Sequence, residues 1–376
     1  MGRVRLEPGR IRHGQALAFD LYDGQGRTLL RRGFVVQRPD QLDRLIERGA
    51  YFDAEFEETS SPSGKLELVS VHGLVADVIR DYEPVLGQPV ESLSPADVLD
   101  IARRIQDACL LDADPALACV QLQRASRYSL RHSFHTAVLT EVLLARMGRD
   151  DASRLQAVAG ALTMNVAMLG LQDALYHQNG ALTPEQKRQI VTHPQAGARA
   201  LAALGVDNPI WLDVVEHHHE LPDGSGYAKR LKEESLSLES QVVSLADRYS
   251  AMVSERAYRA GSHPHIAAKE LLSRQAATIA PGIAATFVQE VGLYPPGTVV
   301  LLANGEMAVV VRRTLNPSQP VARALRAPSG VRHPQPLKRL TSKPAYAIRD
   351  VLGPEKIRDF DLATLWPPTE TGDDGE

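Results

Sequence analysis

The sequence predicts a mainly α-helical protein, in which a helical bundle lies between a small N-terminal α/β module and a short C-terminal β-rich region. Helical spacing of apolar residues recurs from Tyr128 to about Gln275. Near the two ends, alternating apolar runs flank the turn signals Asp23–Gly26 and Asn304–Gly305, which are typical of hairpins. With 376 residues, 44% of them hydrophobic and 23% charged, the chain is long enough for two or three soluble domains.

Composition breaks and turn signals divide the chain into five predicted units. In chain order they are the N-terminal module, a linker with a helical connector, the bundle, the β-rich extension and a tail: residues 1–58, 59–124, 125–286, 287–350 and 351–376. The module has a helix that stops at Gly49, and the connector has a helix capped by Ser94. We expect the acidic end of the tail to be disordered.

Within the bundle, five helical stretches can be read from the apolar pattern, and the first covers Phe134–Met147. Leu155–Leu171 is almost wholly apolar and predicts one central helix. Thr183 and Pro184 are typical of a helix start, and that helix is expected to run toward His193–Pro194. A further helix covers Asn208–Glu216, and the last covers Ser237–Ser254.

Composition argues against several classes of protein. The formal net charge of −4 gives no electrostatic reason to expect nucleic acid as a partner. No apolar run is expected to reach the roughly 20 residues of a membrane span, and the N-terminus shows no signal peptide. The two cysteines, Cys109 and Cys119, do not form a zinc pattern and indicate free thiols in a reducing compartment. A cytoplasmic location is therefore expected.

The strongest chemical signal is the run His217-His218-His219-Glu220 at the end of a predicted helix. Consecutive helical residues point about 100° apart, so two of the three imidazoles can converge on one ion. Other candidate ligands come from separate helical segments, and together they predict a metal centre inside the bundle. The set is His132, His193, His218, His219 and Asp247. The alternative is a solvated histidine cluster, and His217 is interpreted as structural.

These residues, in this order and spacing, resemble the HD-GYP family, a branch of the HD phosphohydrolases. The likeness covers roughly residues 125–310. The stretches that carry it are Tyr128–Ser133, Leu182–Glu185, His193–Pro194, His218–Glu220, Asp223–Tyr227, Val243–Asp247, Ser254–Arg259, Gly292–Gly297 and Asn304–Glu306.

The resemblance implies an HD-domain bundle that holds two or three iron or manganese ions and hydrolyses the bacterial second messenger cyclic di-GMP. It also implies that a metal-bridging hydroxide is the nucleophile. On the substrate side it places Gly226 and Tyr227 in the loop, and Arg256 and Arg259 against phosphates and bases.

The sequence departs from the family pattern at the name-giving His-Asp pair. Met164 and Asn165 stand in those two positions, and Met168 replaces the lysine that normally follows. An amide is neutral and a thioether is a soft ligand, so neither replaces a metal-bridging carboxylate. No catalytic set is therefore intact, and we expect little or no hydrolysis. His193, His218 and His219 still suffice for one divalent ion, although the protein alternatively binds none.

Three hypotheses follow for the function. The first is a catalytically degenerate sensor or scaffold of cyclic di-GMP signalling, which binds the nucleotide or partner signalling proteins. The second is an active metal-dependent phosphodiesterase with a reduced or rearranged centre. The third is a protein–protein adaptor that works through the N-terminal module and the C-terminal β-rich region.

Overall fold

A computed structural model describes residues 3–12, 14–26, 28–36, 39–54, 70–123, 127–254 and 261–367. Arg256 and Arg259, the two predicted substrate contacts, lie outside these ranges. The same holds for most of the predicted linker and for the acidic end of the tail. Within the described ranges the fold is mainly α-helical with a small sheet near each end, as the sequence predicted.

The N-terminal module is a four-stranded antiparallel sheet with one helix. Its elements are β1 (Arg3–Arg5), β2 (Leu21–Tyr22), β3 (Thr28–Leu30), α1 (Pro39–Glu47) and β4 (Tyr51–Asp53). The strand order is β1-β4-β2-β3, and β2 pairs with β3 around the predicted hairpin turn. Gly49 has φ +71, which explains why a glycine follows the end of α1.

Ten α-helices follow the module within the ranges that the structure describes. They are α2 (Val71–Leu86), α3 (Pro95–Leu122), α4 (Tyr128–Arg146), α5 (Asp151–Thr163), α6 (Leu169–His177), α7 (Pro184–Ala203), α8 (Pro209–His217), α9 (Leu238–Val253), α10 (Pro264–Lys269) and α11 (Pro281–Glu290). The predicted helix starts are confirmed: Ser94 caps α3, and Thr183 forms a capping box with Gln186.

Helix α4 is the centre of the bundle, because nearly all of its residues are buried and it packs against α3, α5 and α9. Helices α5 and α8 lie close together at Gly160, where a Cβ atom would come within 2.7 Å of Val214 Cγ1. There Trp211 Nε1 donates a hydrogen bond to Thr163 Oγ1 over 2.7 Å. This contact fixes α8, and with it the histidine run at the end of α8.

The prediction of one helix over Leu155–Leu171 is wrong. Helix α5 ends at Thr163, Asn165 has φ −105 and ψ 13, and a single 3₁₀ turn at Val166–Met168 leads into α6. Asparagine favours such non-helical backbone because its short polar side chain competes for backbone hydrogen bonds. The break falls on the positions where the resemblance expects the His-Asp pair.

The expectation that no apolar stretch reaches membrane-spanning length also needs correction. Asp151–His177 meets that test by length and composition, with a hydropathy of 1.3 over its apolar window. However, 56% of that window is buried inside the protein, and the turn after Thr163 interrupts the helix. Buried core helices pass the same test, so this stretch is weak evidence for a membrane span.

The C-terminal region is a five-stranded antiparallel sheet. Its strands are β5 (Val299–Leu302), β6 (Met307–Arg312), β7 (Val321–Arg326), β8 (Arg332–Leu340) and β9 (Ile348–Leu352), in the order β8-β7-β6-β5-β9. The hairpin at Asn304–Gly305 is confirmed by the pairing of β5 with β6. After β9 the chain still packs on the sheet, since the indole of Trp366 donates to Val311 O over 3.0 Å.

Buried ion pairs join this sheet to the bundle. Helix α3 has a non-helical residue at Asp112, and Asp112 and Asp114 are both buried there. Arg312 Nη1 lies 3.3 Å from Asp112 Oδ2, and Arg313 Nε lies 2.6 Å from Asp114 Oδ1. Removing one partner would leave a buried charge, so these pairs hold the sheet in a fixed place on the bundle.

Candidate functional site

The five predicted metal ligands converge inside the bundle, although they come from α4, α7, α9 and the end of α8. His193 Nε2 lies 3.2 Å from His218 Nε2, and ligand atoms of His193, His218 and His219 lie within 4.8 Å of one another. His132 Nε2 lies 2.7 Å from Asp247 Oδ1, and His219 Nδ1 lies 3.6 Å from Asp247 Oδ2. The structure therefore brings together every residue of the predicted set.

Two of these imidazoles are oriented by backbone carbonyls. His193 Nδ1 donates to Ile190 O over 2.6 Å, and His218 Nδ1 donates to Val215 O over 2.8 Å. Because Pro194 has no N–H, it cannot make the helical bond to Ile190 O, which leaves that carbonyl for His193. Val215 O lies in the last turn of α8, where carbonyls lack helical partners.

These contacts fix the tautomer of both rings. With the proton on Nδ1, the Nε2 atom of each neutral ring presents a lone pair, and the two Nε2 atoms lie 3.2 Å apart. Metal-binding histidines in proteins are held in this way, with the second ring nitrogen donating to a carbonyl or carboxylate.

The surroundings keep the three imidazoles uncharged. Burial, together with the neighbouring His218, lowers the pKa of His193 to about 3. Burial likewise lowers the pKa of His218 and of His219. In addition, His219 Nε2 is buried without a hydrogen-bond partner among the described residues. Three neutral nitrogen donors, one of them unsatisfied, fit a single divalent ion.

Asp247 supplies the negative charge of the site. Burial opposes its ionisation, but the hydrogen bond from His132 and the neighbouring histidines hold the pKa of this carboxyl below its ordinary value. A buried carboxylate beside neutral imidazoles attracts a cation. The donor set that would hold a metal ion is therefore His193, His218 and His219, with Asp247 close by.

The loop after the histidines is held by Glu220, whose role the sequence did not reveal. Its carboxylate accepts hydrogen bonds from the backbone N–H groups of Lys229, Arg230 and Leu231, over 2.6, 3.2 and 2.9 Å. The motif gave no sign of this, because the three donors are nine to eleven residues further along the chain. Glu220 therefore shapes the loop and does not point to metal chemistry.

Gly226 and Tyr227, the two loop residues predicted on the substrate side, lie beside His219. A Cβ atom on Gly226 would lie 2.5 Å from Leu221 N and 2.6 Å from His219 O, so the backbone there leaves no room for a side chain. The ring of Tyr227 stacks on that of His219, with centroids 4.5 Å apart. His217 lies outside the cluster, as expected, because its Nδ1 pairs with Asp213.

The opposite wall, at Met164, Asn165 and Met168, offers thioethers and an amide in place of imidazoles. Met164 is fully buried in the hydrophobic core, and Asn165 is 1% exposed. The Asn165 Oδ1 atom has no hydrogen-bond partner in the part of the chain that the structure describes. Met168 is half-buried and lines the cavity next to Asn165.

Between the two walls lies a cavity of about 350 Å³, which we call the wall cavity. His132, His219 and Asp247 line it on the histidine side. Other residues that line it are Tyr128, Asn165, Gln172, Tyr176 and Tyr227. Nothing in the sequence indicated Gln172 and Tyr176, because α6 carries no motif. These residues line the cavity because the turn after α5 redirects the chain into α6.

Comparison with known proteins identifies the bundle. Residues 113–281 match the family model described as HD domain. This chain carries an HD domain. This match confirms the HD-domain part of the predicted resemblance over these residues.

Relatives of this HD domain protein are enzymes by name. Over 242 residues the chain is 28% identical to "Cyclic di-GMP phosphodiesterase PA4108" of Pseudomonas aeruginosa, a match that covers 64% of this chain and 56% of that protein. Over 252 residues it is 25% identical to "3'3'-cGAMP-specific phosphodiesterase 3" of Vibrio cholerae, covering 64% and 54%. The chain thus spans about half the length of these curated relatives.

Among solved structures, one similar chain is "Bd1817, a HDG"Y"P protein from Bdellovibrio bacteriovorus". The match has a TM-score of 0.48 at 18% sequence identity, and covers 76% of this HD domain protein and 98% of the other chain.

Proposed function

We propose that this protein is a catalytically inactive, HD-GYP-type member of bacterial cyclic di-GMP signalling that acts as a sensor or scaffold. The observation that carries the proposal is the contrast within the site. Three neutral imidazoles are arranged for an ion on one wall, whereas the other wall offers a core methionine and a neutral amide. Relatives named as cyclic dinucleotide phosphodiesterases support the ligand class.

Hydrolysis by two metals requires both ions to be held about 3.5–4 Å apart, so that they stabilise the attacking and the leaving oxygen. Asn165 cannot supply the negative charge that such a pair needs, and Met164 is packed in the core. One ion on His193, His218 and His219 would supply a Lewis acid that attracts phosphate oxygens. In this proposal the chain's own residues therefore bind a nucleotide without cleaving it.

The decisive experiment combines calorimetry and turnover on the full chain. Cyclic di-GMP is titrated with and without Mn²⁺ or Fe²⁺, and the same mixtures are assayed for linear products. We expect binding without turnover. Turnover that disappears in a His218→Ala/His219→Ala double variant would overturn the proposal, because the reaction would then depend on the histidine wall.

A second candidate is an active phosphodiesterase with one ion. The favourable observation is the set of three neutral nitrogens beside the ionised Asp247. That function predicts turnover that rises with the metal content of the protein. In both cases we infer a cytoplasmic protein that interacts with partner signalling proteins.

A further inference from the structure

We propose that a second cavity, where the N-terminal module, α3 and the C-terminal sheet meet, binds a small organic anion that has an apolar body. We call it the junction cavity. Its volume is about 350 Å³, and no described residue lines both this cavity and the wall cavity. The inference goes beyond the proposed function, because neither the histidine cluster nor a nucleotide takes part in it.

A break in α3 forms one side of the junction cavity. Asp112 interrupts the helix with φ −160 and ψ 109, and Pro115 lacks the N–H that would donate a helical bond to Leu111 O. Instead, Gln41 of α1 donates to that carbonyl from its Nε2 atom over 3.0 Å. Gln41, Asp112 and Pro115 all line the cavity, so this side is held by a contact between the module and the bundle.

Much of the remaining lining is apolar and comes from the module, from α2, from the sheet and from the segment after β9. Leu340, at the end of β8, is 39% exposed at this cavity. A bound apolar group would cover this side chain and its apolar neighbours, and the removal of apolar surface from water favours binding. The apolar residues that line the cavity include Phe34, Val71, Val321, Leu340, Leu365 and Trp366.

Two cationic side chains lie next to each other on the strands that border the cavity. Arg323 of β7 is directly opposite Lys338 of β8, and both residues line the cavity. Like charges directly opposite each other in an antiparallel pair are destabilising, so an anion beside both of them offsets the repulsion. Asp112 and Arg312 also line the cavity, but they pair with each other over 3.3 Å and add little net charge.

The charge of the whole C-terminal sheet region has the same sign. From Val299 to Leu352 the sequence has nine Lys or Arg residues and two Asp or Glu residues, although the formal net charge of the chain is −4. Such a local excess of positive charge attracts anions to the surface. At about 350 Å³ the cavity is near the lower end of the roughly 300–1,000 Å³ typical of small-molecule sites. The ligand that fits is therefore a small molecule with an anionic group and an apolar body.

The test titrates octanoate into the full chain by calorimetry, in EDTA so that no metal contributes. Octanol has the apolar body without the charge, acetate has the charge without the body, and octylammonium reverses the charge. We expect octanoate to bind, and each of the other three to bind at least about tenfold more weakly, because each lacks one of the two recognised features.

Variants assign the binding to the junction cavity. The double variant Arg323→Gln/Lys338→Gln should weaken octanoate binding about tenfold, because it removes both cations beside the anionic group. Lys343→Gln/Arg349→Gln is the matched control, since it removes two charges from exposed residues of the same region that are not among those lining the cavity. Leu340→Glu should also weaken binding, because it places a negative charge at the cavity. Circular dichroism melting shows which variants are folded.

Absence of octanoate binding overturns the inference, and so does octylammonium that binds as tightly as octanoate. An equal loss of affinity in the two double variants also overturns it, because binding would then follow net charge and not the cavity. The same holds for unchanged binding in whichever of Arg323→Gln/Lys338→Gln and Leu340→Glu is folded. Turnover of cyclic di-GMP would instead overturn the inactive-sensor proposal and leave this site intact, so the two failures are distinguishable.

Discussion

The two walls of the site are built in different ways. On the histidine wall, His193 and His218 are oriented by carbonyls that a proline and a helix end leave without helical partners. On the opposite wall, Met164 and Asn165 lie where α5 stops, and the environment there is hydrophobic core and an unsatisfied amide. The first wall is set by backbone geometry, whereas the second depends on which side chains stand at the helix break.

This difference explains why the orientation of the predicted ligands His193 and His218 does not depend on Met164 and Asn165. Replacing the side chains at the helix break does not disturb the carbonyls that aim His193 and His218, because those carbonyls belong to α7 and α8. The orientation of these two rings is therefore set within α7 and at the end of α8.

The largest effect is expected from restoring the family's residues on the opposite wall, at Met164, Asn165 and Met168. The triple variant Met164→His, Asn165→Asp, Met168→Lys should raise the metal content from one ion to two and produce hydrolysis of cyclic di-GMP. Since one preorganised catalytic group contributes about 10²–10³ in rate, turnover should rise by at least that order over the wild type. Metal analysis by mass spectrometry and product chromatography measure both changes. The control is Asn165→Asp alone; hydrolysis absent from a folded, two-metal triple variant would contradict the comparison.

Removing two imidazoles from the histidine wall should abolish metal binding. In the wild type, metal at roughly 100 times its Kd should stabilise the fold by about 2.7 kcal/mol, because the ion binds only the folded state. His218→Ala/His219→Ala should lose this stabilisation, as measured by thermal unfolding with and without Mn²⁺. His217→Ala is the matched control, since His217 pairs with Asp213 outside the cluster. Equal losses in the control would show that metal binds elsewhere in the histidine run.

The loop that carries Tyr227 should be sensitive to a single methyl group. Gly226→Ala places a Cβ atom against the backbone of Glu220 and Leu221, so we expect a loss of about 1–3 kcal/mol in unfolding free energy. Gly170→Ala in α6 is the control, because nothing lies within 4 Å of its added Cβ atom. Urea denaturation measures both. A Gly226→Ala protein as stable as the control would show that the loop backbone shifts to accommodate the Cβ atom without a loss of unfolding free energy.

The fourth effect concerns acid. The folded-state pKa of His193, about 3, lies below its ordinary value, so the unfolded chain binds more protons between these two pH values. Stability is therefore fully present above about pH 6.5 and falls as the pH drops toward 3. His193→Gln should reduce this slope by up to roughly 1.4 kcal/mol per pH unit, the value for one proton. Urea titrations at several pH values measure it, and an unchanged slope would exclude His193 as a source.

The sequence predicted most of the bundle because caps and apolar spacing are local signals. Thr183 and Ser94 begin their helices as expected, and the histidines and Asp247 meet because the helices that carry them pack against α4 and one another. The break after Thr163 was missed, because one continuous helix and two helices joined by a turn have the same apolar pattern here. The role of Glu220 was missed because its partners are remote in the chain.

The hydrogen bonds of Glu220 also affect how a ligand associates with the loop. Its three backbone hydrogen bonds order the loop around Tyr227 when the protein folds, before any ligand arrives. A ligand that docks against this loop meets a preformed surface and loses little conformational entropy in the encounter. Association should therefore follow a single concentration-dependent phase, without a slower step of loop closure.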